Sequence, residues 1–176
     1  MNFTREVCEH FFDFSRDLNR SNEIISLIYS IMLREKDHHR DVFDGLEKRL
    51  ARTSNHCIKP DDFVKLTNTA FRNLVVPLNA ECQSMYLALF FFISEWIYDQ
   101  ARLCVSGVGV EEIKNAMISL MTKKLKDEFR LETRAEWYQK ITTISNEIET
   151  TNKDEIYEYY TAFLFGMGLS FLLSKL

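Results

Sequence analysis

The chain has 176 residues, 46% of them apolar and 27% charged, which is ordinary globular composition with enough length for one buried core. A net charge of −4 and a pI of about 5.6 give no basic footprint for nucleic acid, and the basic residues are scattered. Only five Gly and two Pro argue for helices with short connections rather than an all-β fold.

The N-terminal stretch MNFTREVCEH carries no apolar signal core, so secretion is not expected. Without secretion, Asn2-Phe3-Thr4 and Asn19-Arg20-Ser21 read as accidental glycosylation patterns. Cys8, Cys57, Cys82 and Cys104 show no C-x-x-C spacing and read as free thiols of an intracellular protein, with Cys82 and Cys104 as small core residues.

The spacing predicts seven or eight helices. The first runs from about Thr4 to Leu18 with Val7, Phe11, Phe14 and Leu18 on one face. Ser21 is a suitable N-cap for the second, whose stripe is Ile24, Leu27, Ile28, Ile31 and then Leu33. The charged run Arg34 to Asp41 is expected to continue that helix to Val42, Phe43, Leu46 and Leu50, with a loop at Thr53-Ser54-Asn55. Pro60-Asp61 can start a helix that buries Phe63, Leu66, Ala70, Phe71 and Leu74 and ends at Pro77.

Cys82 to Ser94 (CQSMYLALFFFIS) is uncharged and lacks the polar face of an amphipathic surface helix. A helix apolar all round is buried on all sides, and this run is shorter than the roughly 20 residues a bilayer span takes. It therefore reads as a central core helix around Leu87, Phe90, Phe91 and Ile93, capped near Asn79 and ending near Leu103. Ser106-Gly107-Val108-Gly109 is the clearest breaker. Ile113, Met117, Met121, Leu125 and Phe129 mark the next helix, and Thr133-x-x-Glu136 is a capping box that opens a short helix with Trp137, Ile141 and Ile144. Thr151-Asn152 breaks again before a last helix from about Asp154.

That last helix is uncharged from Tyr159 to Ser174, about 24 Å of helix against the ~30 Å hydrocarbon core. It reads as a thin tail anchor through Phe163, Phe165, Leu169 and Leu172, as a helix packed in the domain, or as a segment that switches between the two. The division expected is a helical domain over 1–155 and a hydrophobic C-terminal helix over 156–176. The terminal Ser174-Lys175-Leu176 matches the peroxisomal address, which gives peroxisome as an alternative location.

Enzyme readings fare poorly. Glu35-x-x-His38 has the spacing of a di-iron ligand pair, but such a site needs a second such motif and two more carboxylates. His38 and His39 point about 100° apart on a helix and do not readily share a metal. A Gly-rich phosphate loop, G-x-S-x-G and H-E-x-x-H are all missing from the sequence. His56-Cys57 is the one neighbouring nucleophile–base pair. No cofactor or metal is expected, and no enzyme. The fourteen Phe read as core or as the lining of a groove for a partner helix.

The order of these features resembles the apoptosis-regulator family named for B-cell lymphoma two, the Bcl family. Arg5-Glu6-Val7 to Phe11-Phe12-Asp13-Phe14-Ser15 is similar to its first helix. Phe43-Asp44-Gly45-Leu46 to Leu50 and Phe63 to Phe71-Arg72-Asn73 are similar to its second to fourth. Leu89-Phe90-Phe91-Phe92-Ile93 resembles its fifth, and Leu120-Met121 through Leu125-Lys126-Asp127 to Trp137 its sixth and seventh.

The pattern also departs from the family. Gln83-Ser84-Met85-Tyr86 stands where Asn-Trp-Gly-Arg usually enters the fifth helix, so Tyr86 replaces the arginine that pairs with a ligand's aspartate. Ala135-Glu136 replaces a Gly-Gly, and Ile28, Ile31, Met32 and Leu33 stand where a leucine followed by Gly-Asp belongs. The resemblance is to a divergent member, of the sort found in viruses or distant invertebrates.

What it implies is an all-α bundle of seven to eight helices wrapped around one apolar helix. It implies a pro-survival regulator that holds an amphipathic homology-three helix of pro-death Bcl-family partners. The groove would be lined by Val42, Phe43, Leu46, Leu66, Ala70 and Tyr86. The location would be cytoplasmic or the mitochondrial outer membrane. The alternatives are an interaction or homodimerisation protein without death-ligand binding, or a peroxisomal helical protein.

Overall fold

The computed structural model describes residues 2–14, 22–77, 82–146 and 153–174, with the side chains of the last helix described over 157–168 and that of residue 14 left out. Among the described residues there are eight helices: α1 Phe3–Phe14, α2 Glu23–His38, α3 Arg40–Ser54, α4 Pro60–Asn73, α5 Gln83–Cys104, α6 Val108–Phe129, α7 Arg134–Asn146 and α8 Lys153–Ser174. Among the described residues there is no strand, so the chain is an all-α bundle.

The bundle is organised around α5. From Ser84 to Ser94 every residue of this helix is buried. Helices α2, α3, α4, α6 and α7 pack directly on it. α1 reaches it through rings, with Phe11 4.7 Å from Phe91 and Phe12 4.8 Å from Tyr98 between centroids. Leu87, Phe90, Phe91 and Ile93, expected as core, are all buried there. Phe90 stacks on Phe71 of α4 at 4.6 Å and sets its edge to Phe91 at 5.1 Å, geometries that aromatic pairs favour. The surrounding helices are amphipathic and turn one face inward. Val7 and Phe11 come from α1, Ile24, Ile28 and Ile31 from α2, Phe63, Leu66 and Ala70 from α4, and Ile113, Met117, Met121 and Leu125 from α6.

Local signals placed several boundaries. Pro60 opens α4, where the Asp62 carboxylate accepts the backbone N–H groups of Ile58 and Lys59 at 3.0 and 2.9 Å. Glu136 accepts from the N–H groups of Glu132 and Thr133, both at 2.9 Å, and Thr133 Oγ1 accepts from Glu136 N at 3.3 Å, which completes the capping box. Those hydrogen bonds hold the carboxyls of Glu136 and Asp62 below their ordinary range. Gly107 closes the α5–α6 turn at φ 63° and ψ −127°, a backbone that side-chain-bearing residues rarely adopt.

Three expectations are corrected. The charged run does not carry one helix from residue 23 into the fifties. The backbone breaks at His39 (φ −129°, ψ 49°), which separates α2 from α3. One straight helix over that range would be about 48 Å long and would leave the bundle. The break instead turns His39 inward, where it is buried beside Glu35. The fourth helix ends at Asn73 and continues as an extended segment to Pro77, so Pro77 is not its terminator. Cys104 is exposed at the last turn of α5, whereas Cys82 and Cys8 are buried, and all four cysteines are free. The expected caps Ser21 and Asn79, the end of the first helix near Leu18 and the break at Thr151-Asn152 lie outside the described residues. Asn22 is the N-cap of α2, its side chain accepting from Ile25 N at 3.3 Å.

Two substitutions test this arrangement. Phe91→Ala should cost about 3–5 kcal/mol in denaturant unfolding, because its ring is enclosed on all sides. Gly107→Ala should cost about 1–3 kcal/mol through backbone strain, with open space around the new Cβ.

Candidate functional site

The six residues expected to line a groove are all buried: Val42, Phe43 and Leu46 on α3, Leu66 and Ala70 on α4, and Tyr86 on α5, whose ring lies 5.4 Å from Phe129 of α6. They do not form an open groove. Phe43 sets its ring edge-on to Phe92 at 5.1 Å, and Phe71 and Phe90 stack behind Ala70. The outer side of this region is closed by α8, which packs along α4 and reaches α3.

Three tyrosines attach α8. Tyr160 Oη donates to the Val42 carbonyl at 2.8 Å, Tyr159 Oη to the Val75 carbonyl at 2.7 Å, and Tyr157 Oη to Asp41 Oδ2 at 2.9 Å. One turn further on, Phe163 and Met167 are buried against the domain, while Phe165 is 70% exposed. Gly166 allows the close approach: a Cβ there would lie 2.6 Å from Asn73 Oδ1. Of the states expected for the tail, the structure holds the packed one. The side chains of Leu169 and Leu172, and the residues Lys175 and Leu176, lie outside the described residues. Among the described residues no helix is long and apolar enough to cross a membrane.

Tyr86, expected to stand in place of a ligand-pairing arginine, has its own partner. Its hydroxyl donates to Glu128 Oε2, and Glu128 Oε1 receives Lys124 Nζ at 2.6 Å. Burial and this carboxylate hold the Tyr86 phenol far above its ordinary range. Burial also raises the Tyr159 phenol, and pushes Tyr160 up to about 12, so all three phenols stay neutral donors at physiological pH. Position 86 therefore presents no cation to a ligand.

A second polar cluster lies under the α2–α3 break. Glu35 is buried, its Oε1 accepting from Ser84 Oγ at 3.1 Å, and His39 Nε2 stands 3.7 Å from Glu35 Oε2. Tyr157 sets its ring edge-on to His39 at 6.2 Å. Glu35 faces α5 while His38 is exposed, so the two do not converge as the i, i+3 spacing would allow. Among the described residues no group of three or more His, Cys, Asp or Glu side chains is placed to hold a metal.

Sequence reasoning missed the tyrosine attachment, the Glu128 partner of Tyr86 and the burial of Glu35. The tyrosines carried a signal: Tyr157, Tyr159 and Tyr160 are the polar tips at the start of an otherwise apolar helix, and such tips are satisfied when buried. Comparison of the chain with family models, curated proteins and solved structures gives no match. The class defined by the fold is thus an all-α bundle with a self-covered face.

Tyr160→Phe should lower stability by about 1 kcal/mol and speed hydrogen exchange in α8 more than elsewhere, since it removes one hydrogen bond and leaves the ring in place.

Proposed function

We propose that this chain is a non-enzymatic, pro-survival regulator of programmed cell death that holds an amphipathic homology-three helix of a pro-death partner on the face beneath α8. The observation that carries the reading is the seat itself. An apolar surface of helix width, made by α3 and α4 beside the buried α5, already accommodates a helix through Tyr160, Phe163 and Met167. Helix-in-groove recognition uses anchors of this kind at i, i+3 and i+7. The family-like order of features around Leu89 to Ile93 and Trp137 supports the same reading. A partner helix and α8 would compete for one surface, in the cytosol or at the mitochondrial outer membrane.

Affinity would be modest. Without an arginine at position 86, a ligand's aspartate lacks a charge-assisted bond of about 1.5–3 kcal/mol, roughly a ten- to hundredfold loss. Titration of the folded full chain with labelled homology-three peptides from several pro-death proteins tests the proposal. Saturable binding is expected, and it should tighten in Tyr160→Phe, where α8 is held less firmly. Failure of every peptide to bind at tens of micromolar would refute it.

The engagement of Tyr86 by Glu128 favours a second reading, a bundle of this kind that serves interaction or homodimerisation and takes no death ligand. A stable homodimer in sedimentation, with all peptides silent, is the result that reading requires.

A further inference from the structure

Between α2 and α5 lies a cleft of about 240 Å³. Its two walls repeat one register. Tyr29, Met32, Leu33 and Lys36 of α2 stand at i, i+3, i+4 and i+7, and Phe92, Glu95, Trp96 and Asp99 of α5 do the same, with Glu47 of α3 closing one end. Seven residues of helix span about 10 Å, so the walls are two turns long.

The lining sets apolar side chains beside acidic ones. Leu33 is 65% exposed and Trp96 is only partly buried, although both lie among well-packed neighbours. Large apolar side chains left open at the centre of a cleft mark a contact surface rather than scattered exposure. Three carboxylates, Glu47, Glu95 and Asp99, face one ammonium, Lys36, whose Nζ sits 5.4 Å above the Phe92 ring. Glu95 is partly buried beside Asp99, and both burial and that like charge raise its pKa, with the Tyr29 hydroxyl as a hydrogen-bond partner. Asp99 also faces Arg102 at 3.4 Å, but that pair lies at the exposed rim and contributes little. The acids do not form a metal cluster. The cleft thus has an excess of negative charge beside its apolar side chains.

We infer that the α2–α5 cleft is a docking site for a short basic amphipathic helix of another protein, about two turns long. An aliphatic side chain would rest on Leu33 and Trp96, and Lys or Arg one turn away would meet Glu95, Asp99 and Glu47. The charge pattern selects this occupant. An acidic helix of the same shape would place like charges against the rim, which costs affinity and slows encounter. None of the cleft's lining residues is among those of the face beneath α8, so binding at each is tested with separate peptides and variants.

The test uses the full chain and two synthetic peptides of one design, with Leu at i and i+4 and Arg at i+3 and i+7, or the same with Glu for Arg. Binding is followed by anisotropy of a labelled peptide and by acrylamide quenching of Trp96. Trp137 is fully buried and so adds little to the quenching. The Arg peptide should bind saturably, protect Trp96, weaken with added salt and outbind the Glu peptide by about tenfold or more. Glu47→Lys with Asp99→Lys should remove that preference, and Leu33→Ser should weaken binding of the Arg peptide. All three positions are exposed, so the thermal midpoint should hold. Equal binding of the two peptides would overturn the inference, as would unchanged affinity in the variants or no saturable signal below about 1 mM. A homodimer of the free chain that Leu33→Ser dissolves would place a second copy in the cleft, and would overturn it too.

Discussion

Between Ser84 and Ser94 the central helix has no side it can turn to water, and removing that surface from solvent is what the other elements accomplish. A helix of this kind cannot be stabilised by one neighbour, because a single packing partner covers one stripe. Six helices close around it, and each contributes its own apolar face. The amphipathicity of α1 to α4 and α6 is the complement of a core that has none. The same demand explains the handling of polar atoms inside. Ser94 Oγ bonds to the carbonyl of Phe90 at 2.8 Å and Thr67 Oγ1 to that of Phe63 at 2.9 Å, each one turn back on its own helix, so neither hydroxyl is left unpaired in the core.

What was legible from residues alone was whatever depends on short-range chemistry. Pro60, the Thr133–Glu136 box and Gly107 act within a few positions, and the structure uses each where it stands. Apolar spacing was equally informative about which side of each helix is covered. It could not say by what. Val42, Phe43, Leu46, Leu66 and Ala70 form the same pattern whether they line a groove or a core. The difference lies in a helix that arrives much later in the chain, since Tyr160 reaches back to Val42 across 118 residues. The break at His39 was hidden for a related reason. Its neighbours Glu35 to Asp41 hold neither Gly nor Pro, and the cause is the size of the bundle and a place for Glu35 beside Ser84. Cys104 misled because the last turn of a helix can extend past the partners that would bury it.

Polar and apolar parts of α8 act differently. The rings and Met167 supply non-directional burial, while the hydroxyls fix direction and register on α3 and on the segment after α4. Each hydroxyl bond is of modest strength, and Asp41 and Tyr157 are at the surface where water competes. The helix is therefore attached by several small terms rather than one large one. Such an attachment can be graded by single substitutions without unfolding the rest.

Trp137 carries a consequence for how the chain is made. Its indole N–H donates to Thr4 Oγ1 at 2.9 Å, and that hydroxyl donates to the Leu131 carbonyl at 2.5 Å, joining α1 to the start of α7 across 133 residues. During synthesis from the N-terminus, Thr4, Val7, Phe11 and Phe12 emerge first, yet their partners on α5, α6 and α7 emerge much later. At about 5–20 residues per second, the inward face of α1 waits on the order of ten seconds for Trp137. Over that interval α2 is the neighbour at hand, through the stack of Phe11 on Tyr29 at 5.3 Å. The rest of that face stays open to chaperones until α5, α6 and α7 are made.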